Sequence, residues 1–218
     1  MYLLARMMTI QHPQHCNSKH IKQMKRGSER ELDAIALPIL KMISDYKKID
    51  PSLMPDTLYG YKFGKNIKLP PVTLISCGLV LTEPCAEILQ RFRLGETQMS
   101  AMSFYNYGLQ ELVDDKTYYF LNIAEWRKYL IHGECSEYIR PVRYPRDGYD
   151  ELYNMTIGGE DNVDYAVSEE ALHADVDIWH DPRLDESIFM SGALKQALDK
   201  AKMSKVWKLV SCKLIGAR

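Results

Sequence analysis

The sequence has no run of about 18 or more apolar residues, so it predicts no membrane span. Its opening, Met1-Tyr-Leu-Leu-Ala-Arg-Met-Met, is too short and too soon interrupted by charge to read as a signal peptide, and the expected address is the cytoplasm. Cysteine is sparse: Cys16, Cys77, Cys85, Cys135 and Cys212 are scattered without a C-x-x-C pair, an odd set that reads as reduced, mostly buried small hydrophobes. The chain also lacks a G-x-S-x-G nucleophile elbow, a Walker loop and an H-E-x-x-H helix, so the common hydrolase, nucleotide and zinc-protease signatures are missing and no cofactor is expected. What remains is 218 residues, 46% of them apolar, enough to bury a sizeable core as one large domain or two small lobes.

Metal ligation is weighed and set aside. His12, His15, Cys16 and His20 are zinc-capable side chains, but their spacing fits no structural zinc pattern and no second pair follows. His132 and Cys135 have the same weakness. Carboxylate pairs such as Glu169-Glu170 are abundant, yet no loop with calcium-ligand spacing surrounds them.

Charge is distributed unevenly. Between Asp147 and Glu186 stand thirteen carboxylates and a single base, Arg183, or about −12, while the whole chain carries only −1. The two ends are basic. One reading is that the ends neutralise the acidic middle within the fold; the other is that the acidic field steers a basic partner. Direct nucleic-acid binding is not expected: the bases are not interleaved with the fourteen tyrosines in a recognisable module, and the isoelectric point is about 6.6.

Along the chain, residues 1–30 form a basic segment whose start, Tyr2 to Ile10, suggests an edge strand. Ser28 and Glu31 have the form of a capping box, and Leu32, Ile35, Ile39, Met42, Ile43 and Tyr46 then recur at helical spacing to about Lys48. Strands are predicted at Tyr59–Phe63, Ile67–Leu69, Val72–Leu81, Met99–Tyr107 and Thr117–Ile123, with helices over Glu83–Arg93 and Ala124–Ile131. The division drawn is a basic segment 1–30, an α+β lobe 31–146 and an acidic connection with a C-terminal lobe, 147–218.

Residues Leu79–Leu94 align without a gap to Ile188–Met203, at an offset of 109. Only Leu89 and Leu198 are identical, but strand, hydroxyl cap (Thr82 and Ser191), helix and closing basic pair agree in class. The expectation is an α+β fold of two strand-helix-strand lobes packed as one globular unit, with an internal pseudo-repeat.

The most distinctive stretch is Asp177-Ile-Trp-His-Asp-Pro-Arg-Leu184, followed by Ser187-Ile-Phe-Met-Ser-Gly-Ala-Leu-Lys-Gln-Ala-Leu198 and an expected strand from Val206 to Leu214. Asp181-Pro182 makes a turn, Ser191 caps a helix, and Trp179 and Phe189 serve as core anchors. Over about 175–214 this order resembles immunity protein family eleven, bacterial antidotes of polymorphic toxin and secreted effector systems. The resemblance implies a non-enzymatic protein that binds and neutralises a cognate toxin; it does not explain the N-terminal half.

The charge then suggests how. Asp147, Asp150, Glu151, Glu160, Asp161, Asp164, Glu169 and Glu170 would meet basic groups of the toxin, a nuclease cleft being the candidate, with Tyr149, Tyr153 and Tyr165 as aromatic anchors where exposed. The alternative is a small hydrolase or transferase using His180 and Asp181, since a carboxylate can orient an imidazole. A third reading is an adaptor with no toxin.

Overall fold

The computed structural model describes residues 2–4, 15–17, 39–60, 69–75, 78–106, 112, 114–136, 139–142, 151–155, 164–184 and 187–216. In chain order the strands are β1 (Tyr2–Leu4), β2 (His15–Asn17), β3 (Thr57–Gly60), β4 (Val72–Ile75), β5 (Gly78–Thr82), β6 (Gln98–Asn106), β7 (Tyr118–Asn122), β8 (Ile139–Pro141), β9 (Tyr153–Met155), β10 (Ala166–Ser168), β11 (Ile178–Trp179), β12 (Ile188–Met190), β13 (Leu209–Ser211) and β14 (Lys213–Ile215). Two helices are α1 (Glu83–Leu89) and α2 (Gly192–Lys200), and residues 39–44 are also helical. The class is α+β. Internal contacts divide the chain into two compact units: Met1–Arg6 with Phe92–Gly95 and Glu125–Arg218, and Met7–Arg91 with Glu96–Ala124.

The unit built on Met7–Arg91 holds a six-stranded sheet in the order β2-β3-β6-β7-β5-β4. Successive strand residues point to opposite faces. Val80, Met102, Phe104, Tyr118 and Phe120 pack with Ile39, Ile49, Met54 and Leu69, Phe104 meeting Tyr118 edge-on at 6.0 Å. Leu79, Leu81 and Leu121 are also buried, and α1, which contributes buried Cys85, Ala86 and Leu89, contacts β5 and β7. Residues 39–44 end where Tyr46, at φ 53°, lets Tyr46 N–H and Lys47 N–H donate back to Ile43 and Met42 carbonyls. The predicted cap at Ser28 and Glu31 lies outside the described residues.

The other unit holds a four-stranded sheet, β11-β12-β1-β13, and two-stranded sheets β10-β14 and β8-β9. The predicted N-terminal edge strand is instead internal: Tyr2–Leu4 pairs antiparallel with β12 on one side and β13 on the other. Trp179 stacks on Phe189 with centroids 6.2 Å apart, and Tyr129 meets Trp179 edge-on at 6.0 Å. Leu130, Tyr165, Val167, Val176 and Leu184 complete this core.

The two larger sheets share a strand arrangement but not a chain order: the central strand follows its neighbours in sequence in one and precedes them in the other. In one, β5 and β6 run parallel with antiparallel β7 between them and β4 outside β5. In the other, β12 and β13 run parallel with antiparallel β1 between them and β11 outside β12. Leu79, Val80, Leu81, Cys85 and Leu89 are all buried, as are Ile188, Phe189, Met190, Leu194 and Leu198 at the offset of 109. The hydroxyls differ: Ser191 caps its helix, whereas the Thr82 side chain makes no cap bond. The like arrangement and burial do not confirm a repeat.

Three predicted elements take another form. Val72–Leu81 is two strands, β4 and β5, paired antiparallel; β5 opens at Gly78, whose φ of +133° is open to glycine. Residues 124–131 are not helical but extended: Trp126 pairs in parallel with His180 and Leu130 antiparallel with Val167, so partner strands override local propensity. The strand expected from Val206 begins with a 3-10 turn, Ser204–Trp207, and after Lys208 at φ 45° splits into β13 and β14, which join different sheets.

Candidate binding surface

Strand β10 organises the acidic side of its unit. On one side it pairs in parallel with β14; on the other it meets residues 129–131, where Ser168 N–H donates to the Tyr129 carbonyl and Ile131 N–H to that of Ala166, both at 2.8 Å. Ser168 then caps the following 3-10 turn, Glu169–His173, by accepting the Glu170 N–H at 3.2 Å. The turn leads to Asp175, whose Oδ1 accepts from Arg127 Nη2 at 2.6 Å. That guanidinium also donates to Glu125 Oε2 at 2.7 Å and to the Trp126 carbonyl at 2.8 Å. Residues 127–131 and 166–175 are therefore joined by backbone and side-chain hydrogen bonds.

The predicted contact residues separate into distinct groups. Glu151, Asp164, Glu169 and Glu170 are exposed. Asp147, Tyr149, Asp150, Glu160 and Asp161 lie outside the described residues. Tyr153 is half-buried, its ring stacked on His132 at 3.8 Å. Tyr165 is only 2% exposed, so it belongs to the core and cannot serve as a surface anchor; burial pushes its phenol up to about 12.

Other carboxylates of the acidic segment face inward. Asp181 is buried, and its Oδ2 accepts from Leu130 N–H at 2.8 Å and Arg183 Nη2 at 2.8 Å. Its Oδ1 takes Arg183 N–H at 3.1 Å and Nε at 3.0 Å. Asp177 is held by the backbone and side chain of Arg93. Among the described residues, the cations that pair with Asp175, Asp177 and Asp181 are thus Arg127, Arg93 and Arg183, all mid-chain arginines.

The C-terminal motif has the local roles read from its residues. Trp179 and Phe189 are buried, Asp181-Pro182 opens a turn closed by Leu184 N–H on the Asp181 carbonyl at 3.0 Å, and Ser191 Oγ accepts the Leu194 N–H at 3.2 Å. His180 and Asp181 are adjacent yet serve different partners. His180 Nδ1 bonds to the Ser187 carbonyl, while the Asp181 carboxylate is committed to Arg183 and Leu130. Burial lowers the His180 pKa to about 4, leaving the imidazole neutral at physiological pH.

His132 and Cys135 also diverge: His132 Nε2 bonds with the Ile139 carbonyl at 3.2 Å, and Cys135 Sγ accepts the Ala166 N–H at 3.3 Å. Among the described residues no group of three or more His, Cys, Asp or Glu could hold a metal ion. Burial pushes the Cys212 thiol up to about 12, which keeps it protonated. No described helix is long and apolar enough to cross a membrane.

The residue that sequence reasoning missed is Trp126. Placed in a predicted helix, it lies instead on an extended segment and is 50% exposed. Its charged neighbours Glu125, Arg127 and Lys128 were the available signal. Compared with models of known protein families and with curated proteins, the sequence matches none.

Proposed function

We propose that this chain is an immunity-type binding protein acting in the cytoplasm, which neutralises a cognate secreted toxin by tight non-covalent occlusion. The observation that best supports this reading is the division among the carboxylates of the acidic segment. Asp177 and Asp181 are buried and spent on arginines, whereas Glu151, Asp164, Glu169 and Glu170 of the same unit are exposed. Internal ion pairing accounts for the first group, and the second faces solvent, where a partner can reach it. Exposed carboxylates raise the encounter rate with a cationic protein and can cover a cleft that otherwise receives phosphates, which makes a nuclease the favoured target. The resemblance over residues 175–214 supplies the role.

The test is capture of the tagged chain's partner from its source lysate at low and moderate salt, followed by co-expression with that partner. The expected result is one secreted effector at near-stoichiometric yield, bound less tightly as salt rises, whose toxicity the wild-type chain abolishes. Reversal of Glu151, Asp164, Glu169 and Glu170 to Lys should lose that protection. Recovery of no effector, or protection untouched by the four reversals, would count against the proposal.

A further inference from the structure

Four lysines stand on the turn that leaves α2. Lys200 is the last residue of the helix, Lys202 and Lys205 follow, and Lys208 closes the 3-10 turn Ser204–Trp207. Hydrogen bonds fold this stretch back on itself: Lys202 N–H and Met203 N–H donate to the Asp199 and Leu198 carbonyls, and Lys208 N–H to that of Lys205. All four lysines are exposed. The one acidic side chain among residues 195–218 is Asp199, and it is already held by Lys195 and the Ser204 hydroxyl. No described carboxylate pairs with Lys200, Lys202, Lys205 or Lys208, whereas Lys213 further on pairs with Glu134.

The fold gains little from this arrangement. Lys202 and Lys208 take φ 57° and 45°, the left-handed region that glycine adopts freely, so two of the three described non-glycine residues found there are lysines of this one turn. Like charges three residues apart, Lys202 with Lys205 and Lys205 with Lys208, repel. A cation at a helix C-terminus is favourable, which accounts for Lys200 and Lys202, but that effect fades within the last turn and does not reach Lys205 and Lys208. Strain and repulsion gathered on exposed, unpaired cations point to a ligand that supplies the missing anions.

The chemistry of the turn selects among polyanions. Its large apolar side chains are withdrawn: Met203 and Val206 are half-buried and Trp207 is enclosed. A bilayer would need an apolar side chain to enter it, and a protein partner an apolar or aromatic anchor. Phosphates need only cations, and a duplex presents one charge per about 1.7 Å of axis, dense enough for a compact cluster to meet several. With no exposed aromatic on the turn to stack on a nucleobase, the contact carries no sequence preference.

We propose that the Lys200–Lys208 turn docks on the phosphate backbone of a nucleic acid duplex without reading its sequence. The four ammonium groups displace condensed counterions, and the phosphates relieve their mutual repulsion. This contact goes beyond the toxin-binding role and does not depend on it, so recovery or absence of an effector leaves it untouched.

The experiment is fluorescence anisotropy of a labelled DNA duplex titrated with the full chain between about 50 and 200 mM salt. Expected is a slope of log affinity against log salt of about −3.6, from four contacts at about −0.9 each, equal for duplexes of different sequence. Lys200→Gln, Lys202→Gln, Lys205→Gln and Lys208→Gln should each reduce the slope by about one, and the fourfold Gln variant should lose binding. The matching Lys→Arg replacements should keep both. Lys41→Gln, at an exposed lysine of the other unit, should leave the slope unchanged. Circular dichroism checks that each variant keeps its fold.

No binding at about 50 mM salt, a slope that ignores the four replacements, or an equal loss with Lys41→Gln would overturn the proposal. Binding to vesicles of anionic lipid without binding to the duplex would overturn it too, and would assign the turn to a membrane surface.

Discussion

Arg93 and Asp177, 84 positions apart, are joined in both directions: Arg93 N–H and Nε donate to Asp177 Oδ2 at 3.0 and 3.2 Å, and Asp177 N–H donates to the Arg93 carbonyl at 2.7 Å. This reciprocal clasp binds Phe92–Gly95 to the unit formed mainly by Glu125–Arg218. Burial pushes the Asp177 carboxyl up, but hydrogen bonds from the Ser191 hydroxyl and from the backbone and side chain of Arg93 outweigh it, so its pKa is lowered. A lowered folded pKa contributes stability above the unfolded aspartate value that is lost as pH falls through it. Asp177→Ala should cost about 2–4 kcal/mol by urea unfolding at neutral pH, because it strands several donors. Asp177→Asn should cost less there, and the gap between wild type and Asn should narrow in acid.

Gly95 predicts a second sensitive point. Its φ is +56°, and a Cβ added there would lie 2.6 Å from Glu125 Cδ and within overlap of Oε1. Glu125 is itself buried and paired with Arg127, so its carboxylate has little freedom to retreat. Gly95→Ala should lower stability by at least about 2 kcal/mol, adding a left-handed backbone penalty of about 1–2 kcal/mol to the overlap. Shortening Glu125 to Ala in the same chain should recover the steric share of the loss, read as a partial return of the unfolding midpoint.

Lys202 predicts a gain. After α2, Lys202 N–H donates to the Asp199 carbonyl and Met203 N–H to that of Leu198, each at 2.8 Å, and Lys202 takes φ 57° at the position such helix ends usually give to glycine. Its side chain is exposed and contributes no core packing. Lys202→Gly should therefore stabilise the chain by about 0.5–1 kcal/mol. An unchanged or lowered thermal midpoint would show that the lysine side chain stabilises the turn by some other contact.

These sites show what local sequence carries. Ser191 was legible because its hydroxyl acts on Leu194, three residues away, and Trp179 and Phe189 because apolar strands of that length are buried. Residues 124–131 misled because their apolar spacing fits a helix, while pairing with His180 and Val167 holds them extended. Among the acids, Asp181 and Asp164 look alike in sequence. Asp181 goes inward because Arg183 lies two residues on and Leu130 N–H arrives from 51 residues away, and the second relation has no local trace. The exposed position of Trp126 was hidden for the same reason, since its backbone is held by His180 from far along the chain.

His180 gives a pH prediction. Burial takes its pKa from 6.5 to about 4, against a weaker opposing hydrogen bond to the Ser187 carbonyl. Between these values the unfolded chain binds a proton that the folded chain does not, so stability rises with pH across the window and falls on acidification. The slope from this group approaches about 1.4 kcal/mol per pH unit at its steepest, and it levels off below pH 4. His180→Asn retains a donor for Ser187 but cannot titrate, so its stability profile from pH 6.5 to 4 should be flatter than that of wild type. Parallel profiles would assign the acid sensitivity to other groups.

Trp126 can be examined without any partner. Trp179 and Trp207 are enclosed, so an aqueous quencher should reach one indole of the three. Acrylamide titration of wild type is expected to show a quenchable fraction with red-shifted emission and a protected fraction with blue-shifted emission. Trp126→Phe should remove the first and leave the second, and its unfolding free energy should change by less than about 0.5 kcal/mol because the side chain is surface-exposed. A single, fully protected emission in wild type would show that the Trp126 indole is covered in solution.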